Sequence, residues 1–341
     1  MNIDVPSQSS EPRKGKRSLL RVFGYGLAGL AVLFAMAVGA LAALVQFSKP
    51  PAFPLAPDSF KDYKVAVTPE RVARGRKLAE MRGCFDCHMN PETRSATGTA
   101  ILDVPPAVAL KTHGPNITKD ANYGIGSYTD GQLAYLLRTG VRPDGSLLVP
   151  WMPRSVQASD EDLEAIIAFL RSDDPIVAAN PVPSKGTELT FVGRALRRFA
   201  WKPDALLPGP IVAPLLAEDK IAYGRYVIAG MADCYACHSE SFATVNNAKP
   251  ELTPGYLGGG NPMADLVGEP VFSANITPDP ETGIGKWSER DFIKALREGV
   301  HPNGKALRFP MPRFHHLSEE EVSAVFAYLQ TVPPIQNAVK K

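Results

Sequence analysis

Cysteine is scarce in this chain, with four residues in 341. All four fall in two pentapeptides, Cys84-Phe85-Asp86-Cys87-His88 and Cys234-Tyr235-Ala236-Cys237-His238. None is left for a disulfide framework outside them. Pairing the four as two disulfides would leave both following histidines unexplained. A Cys-x-x-Cys redox motif is normally a single copy in a thioredoxin-like setting. A four-cysteine zinc site would need the two pairs to converge, and would again leave the histidines idle. The chain also lacks a dominant charge: 37 Lys and Arg stand against 35 Asp and Glu, a net +2. No basic surface argues for nucleic acid.

The recurring Cys-x-x-Cys-His pattern is the attachment signature of c-type haem. Two thioether sulfurs must approach neighbouring edges of one flat ring. Residues three apart on a helical turn point the same way, and the next histidine reaches the iron from the proximal side. Two covalently bound haem c groups are expected, on Cys84 and Cys87 and on Cys234 and Cys237, with His88 and His238 as proximal iron ligands.

Charge is missing altogether from Val22 to Ser48. That run is long and apolar enough to cross a bilayer as a helix. Before it, Arg13, Lys14, Lys16, Arg17 and Arg21 stand against Asp4 and Glu11, a local +3 that leaves the rest of the chain near −1. Basic residues on that flank predict a cytoplasmic N-terminus and an exported remainder. The alternative is a cleaved signal peptide, because Ala40-Leu41-Ala42 resembles a small-residue cleavage site. The length of the apolar run favours an uncleaved anchor.

The exported part repeats itself. Asn116-Ile117-Thr118, Gly124-Ile125-Gly126, Leu137-Arg138, Gly140, Pro143, Gly145 and Met152-Pro153 recur 159 residues later, from Asn275 to Met311-Pro312. The offset is 150 at the two motif histidines, so the second copy has nine extra residues in the loop between. Helical runs precede each motif, Glu70 to Met81 and Glu218 to Met231. Others close each copy after Ser159 and Ser318, the latter with Glu321 as a capping box. Residues 173–217 between the copies are rich in proline, which resists regular structure. Within them, Phe191 to Trp201 reads as a basic amphipathic helix.

Met152 and Met311 occupy the same place in the two copies, each beside proline. They are the expected sixth iron ligands; a His/Met pair suits electron transfer. His315 and His316, close to Met311, are competing donors. Tyr128 aligns with Trp287 and Arg138 with Arg297, and these four are candidate partners of the haem propionates.

The stretch Asn275-Ile-Thr-Pro-Asp-Pro-Glu-Thr-Gly-Ile-Gly-Lys-Trp-Ser, with Arg297, Gly299, Gly304 and Met311-Pro312, resembles the cytochrome c subunits of bacterial periplasmic alcohol, aldehyde and gluconate dehydrogenases. The resemblance covers residues 65–335. It implies that the chain accepts electrons from a catalytic subunit and passes them to quinone or another respiratory carrier. Many members carry three haem motifs, whereas this chain has two.

The expected architecture is all-α: a basic cytoplasmic tail (1–21), a transmembrane anchor (22–47), and two tandem cytochrome c domains (65–172 and 218–335) joined by a proline-rich linker (173–217). The expected protein sits in the bacterial inner membrane with its haem domains in the periplasm. It relays electrons in a respiratory chain, with a periplasmic dehydrogenase or respiratory complex as partner, and has no substrate chemistry of its own. The alternatives are an electron-conducting subunit of a larger quinol-oxidising or terminal oxidase complex, and a dihaem peroxidase.

Overall fold

The computed structural model describes residues 15–101, 104–265 and 267–340. The chain divides into two units, Met1–Pro50 and Pro51–Lys341. In the first, helix α1 runs over Gly15–Phe47. Its stretch Arg21–Phe47 is long and apolar enough to cross a membrane, a test that a signal sequence near the N-terminus also passes. Residues 1–14 of the expected basic tail, and the side chains of 15–20, lie outside the described residues.

The second unit builds the same frame twice. In the first copy, α2 (Pro69–Met81) starts at Thr68, whose side chain accepts from the Arg71 amide, with Pro69 in the first turn. Next come α3 (Cys84–His88), α4 (Asp130–Thr139) and α5 (Asp160–Arg171). After α6 (Phe191–Phe199), the second copy has α7 (Lys220–Tyr226), α8 (Cys234–Cys237), α9 (Glu289–Glu298) and α10 (Glu319–Leu329). The capping box Ser318–Glu321 forms as expected, and Thr129–Gln132 and Ser288–Asp291 cap α4 and α9 in the same way. Both of those helices end on a left-handed glycine, Gly140 or Gly299.

Helix α2 packs on α5, and α7 on α10. The crossings depend on glycine. A Cβ on Gly75 would lie 1.8 Å from the Ala165 carbonyl oxygen, and one on Gly224 would lie 2.0 Å from that of Ala324. Only a residue without a side chain lets the two backbones approach this closely.

The unit is mostly helical, and among the described residues it also carries two short antiparallel ladders. One pairs β1 (Ala109–Lys111) with β2 (Glu188–Leu189), and the other pairs β3 (Pro262–Ala264) with β4 (Pro270–Phe272). The second ladder lies in the loop that holds the nine extra residues, where extended backbone must satisfy its own hydrogen bonds. The run before the second motif is also not one regular helix: α7 gives way to a π-helical turn at Val227–Met231.

The proline-rich stretch straps itself to the first copy. Ala96 and Lys119 amides donate to the carbonyls of Ile176 and Val177 at 2.8 and 2.9 Å, and Asn116 Nδ2 donates to those of Asn180 and Val182. Beyond α6, Asp204 and Ile211 bond to Thr139 and Asp160. Side chains of both copies share one buried core, including Leu78, Leu133 and Phe169 from the first and Tyr226, Ile228, Met231 and Leu329 from the second. Polar contacts cross the same boundary. Tyr226 donates to the buried Asp162 at 2.5 Å, Arg74 pairs with the same carboxylate, and Lys77 reaches Glu321.

Candidate haem-binding sites

Each Cys-x-x-Cys-His segment is a single helical turn entered through a left-handed residue, Gly83 or Asp233. The turn sends its histidine inward: His88 and His238 are 3% and 8% exposed. Nδ1 of His88 lies 2.7 Å from the Pro115 carbonyl oxygen, and Nδ1 of His238 lies 2.7 Å from that of Ala274. A carbonyl only accepts, so Nδ1 carries the proton and Nε2 keeps its lone pair. Burial favours the neutral ring in both cases, against the pull of that backbone bond. A metal-ligating histidine requires this arrangement, with the outer ring nitrogen held by a carbonyl.

The cysteines are not joined as disulfides. Burial pushes the Cys84 and Cys87 thiols up to about 11 and Cys234 to about 12. A dithiol oxidoreductase needs the opposite, a depressed thiol. Among the described residues no three His, Cys, Asp or Glu side chains converge on a metal position, so the pairs do not form a zinc site.

The methionine loops match bond for bond. Leu148 donates to the Gly140 carbonyl and Leu307 to that of Gly299, at 2.8 and 2.7 Å. Met152 and Met311 amides close turns onto Val149 and Arg308, and Ser155 and Phe314 return to Leu137 and Leu296. The loop between motif and helix repeats too. Asn116 and Asn275 each accept from the amide and hydroxyl of the threonine two residues on, Thr118 and Thr277, at 2.9 and 2.7 Å. Both methionines are half-buried.

The propionate candidates fare differently. Arg138 is fully engaged elsewhere: its guanidinium donates to the carbonyls of Ser155, Val156 and Ala158 and to Asp160. It clamps the segment leading into α5. Arg297 pairs with Glu319 through Nη1, while its buried Nε is unsatisfied. Trp287 packs edge-on against His301 at 5.0 Å, and Tyr128 lies in the field of Arg142, the residue aligned with His301. His316 is bound to Glu80 of the first copy at 2.7 Å, which removes it from competition with Met311.

Sequence reasoning missed Arg154, although Met-Pro-Arg occurs in both copies. Arg154 is buried beside Met152, and burial pushes it down to about 10. Its Nη atoms serve the carbonyls of Leu148, Val149 and Met152, and the nearest carboxylate, Asp204, is 3.8 Å from Nε. Nε of Arg154 and the indole nitrogen of Trp151 are buried without hydrogen-bond partners. Two unsatisfied donors and a nearby second guanidinium, Arg142, form a site suited to acidic groups. The donors around His88 and Met152 therefore fit a haem with its propionates.

The cytochrome c family model matches residues 72–173 and 222–333, one stretch around each motif. This chain belongs to the cytochrome c family. Membership implies covalently bound haem c, in agreement with the histidine geometry. The fructose dehydrogenase cytochrome subunit of Gluconobacter japonicus is 31% identical over 275 residues, covering 77% of this chain and 52% of that protein. The cytochrome c subunit of a quinone alcohol dehydrogenase from Gluconacetobacter polyoxogenes is 28% identical over 279 residues, covering 77% and 56%. A diheme cytochrome c-type protein of Cereibacter sphaeroides is 29% identical over 282 residues, covering 77% and 86%. The chain thus spans about half the length of the dehydrogenase subunits it matches.

Proposed function

We propose that this chain is a membrane-anchored dihaem cytochrome c that receives electrons from a periplasmic dehydrogenase and passes them to a respiratory acceptor. Cys84 and Cys87 would hold one haem, with His88 and Met152 as its iron ligands; Cys234 and Cys237 would hold the other, with His238 and Met311. Haem c held by these donors would supply reversible one-electron transfer. The chain's own residues hold each histidine in one tautomer, set each methionine on a closed turn and exclude water from the proximal side. Arg154, Trp151 and Arg142 receive the propionates of the first haem, and Arg297 and Trp287 lie on the corresponding side of the second.

The observation that carries this reading is the twice-built frame, with histidine Nδ1 on a carbonyl and methionine on the same hydrogen-bonded loop. In this reading residues 1–21 stay in the cytoplasm, 22–47 span the inner membrane, and 65–172 and 218–335 each enclose one haem, with 173–217 joining them. The names of the relatives support a dehydrogenase as electron donor; quinone is one acceptor of suitable chemistry. Two filled axial positions argue against peroxidase chemistry.

Intact-mass measurement of the purified holoprotein tests the reading, with two haem additions expected. A single addition would falsify it. Carbon monoxide added to the reduced protein should leave both spectra unchanged without denaturant, whereas strong binding at one haem would favour a peroxidase.

A further inference from the structure

The two attachment turns differ at the residue that enters them. Gly83 before α3 has φ 65°, and Asp233 before α8 has φ 50°. Glycine adopts this left-handed conformation freely, while a residue with a Cβ is strained there. Asp233 keeps its side chain for a partner in the other copy: Arg82 Nη2 donates to Asp233 Oδ2 at 2.5 Å. The Arg82 side chain is only 4% exposed and that of Asp233 14%. Arg82 also donates to the carbonyls of Gly230 at 2.8 Å and Arg154 at 2.9 Å. One guanidinium, two residues before Cys84, therefore holds the segment entering Cys234 and the segment leaving Met152. Neither partner is repeated, because Ala232 and Gly83 stand at the aligned positions.

We propose that the Arg82–Asp233 pair is a positioning lock that fixes the spacing and mutual orientation of the two haem-attachment turns, and with them of the two haems. This rests on the dihaem reading above. Separating a buried, hydrogen-bonded pair leaves each charge uncompensated, so only one registration of the interface is favoured. The more open Lys77–Glu321 pair, also between the copies, exerts no comparable geometric control.

Circular dichroism of the holoprotein in the Soret band tests this, since two nearby haems give a bisignate couplet whose amplitude depends on their distance and angle. Asp233→Gly restores the glycine of the first copy and keeps the backbone at ease. It should lose most of the couplet while haem content and both His/Met absorption spectra persist. Arg82→Gln should do the same, Arg82→Lys should recover part of the amplitude, and Lys77→Gln should match the parent protein. A couplet of parental amplitude in both Asp233→Gly and Arg82→Gln overturns the lock, even if those variants melt at lower temperature. So does a parent protein with two haems and no couplet. A parent protein with one haem overturns the dihaem reading instead.

Discussion

At the scale of single residues, the chemistry rests on a few side chains whose environment is set by burial. Burial keeps His88 and His238 neutral, and one carbonyl each fixes the tautomer. Met152→Ala and Met311→Ala should each lower the reduction potential of one haem and remove its sulfur–iron absorption band. Potentiometric titration followed by absorption checks this, and an unchanged spectrum would remove that methionine from the ligand set. Arg154 places a buried positive charge next to the Met152 loop. A nearby cation favours the less positive, reduced iron. Arg154→Gln should therefore lower the potential of the first haem and leave the second where it was. Equal shifts at both haems would exclude a local role. The proposed ligands were legible in the sequence because cysteine spacing, the following histidine and the methionine position are local patterns that repeat. Arg154 was half legible, in the shared Met-Pro-Arg. Its burial was not, because burial depends on Asp204 and on Trp201, which the strap brings against Trp151.

At the scale of elements, the motif turns are placed by helix pairs that cross on glycine. Gly75→Ala and Gly224→Ala each drive a methyl group into a carbonyl of the facing helix. Overpacking of this kind costs about 1–3 kcal/mol, and the melting temperature of each holoprotein variant should fall accordingly. A melting temperature equal to the parent's would mean that the helices part without cost. Helix ends were well marked in the sequence, since Ser159 and Ser318 cap through contacts within one turn. The ladders β1–β2 and β3–β4 were not, as each joins short segments with no periodic pattern of their own. The break of the helix before the second motif into a π-helical turn was hidden too. There Gly230 packs against Tyr226 and the Gln157 carbonyl, which comes from the other copy.

At the scale of the whole molecule, the proposed function assigns tethering to the apolar helix α1 and electron transfer to the unit that follows it. If α1 is an uncleaved anchor, the protein should stay in the membrane fraction after a high-salt wash, and N-terminal sequencing should find the segment before residue 43. A mature chain beginning near that point would establish cleavage. The chain beyond the basic tail is close to neutral. Docking to a redox partner should therefore respond only modestly to ionic strength; a steep salt dependence of the association rate would point to a strongly charged docking face instead.

The sequence by itself determined the family's cofactor, haem c, and the internal duplication, and it supplied the four cysteines and the axial ligand set of the proposal. Each depends on residue type at short spacing, and short spacing is what helical turns and capped loops convert directly into geometry. Tertiary structure alone decided that the two copies share one core, that the proline-rich stretch is a strap, that Arg138 is a clamp and that Arg82 meets Asp233. These contacts join residues far apart in the chain; Arg82 and Asp233 are 151 positions apart. No local pattern encodes such a meeting; it follows from which apolar faces bury against each other, and the buried charges must then find partners where that packing leaves them.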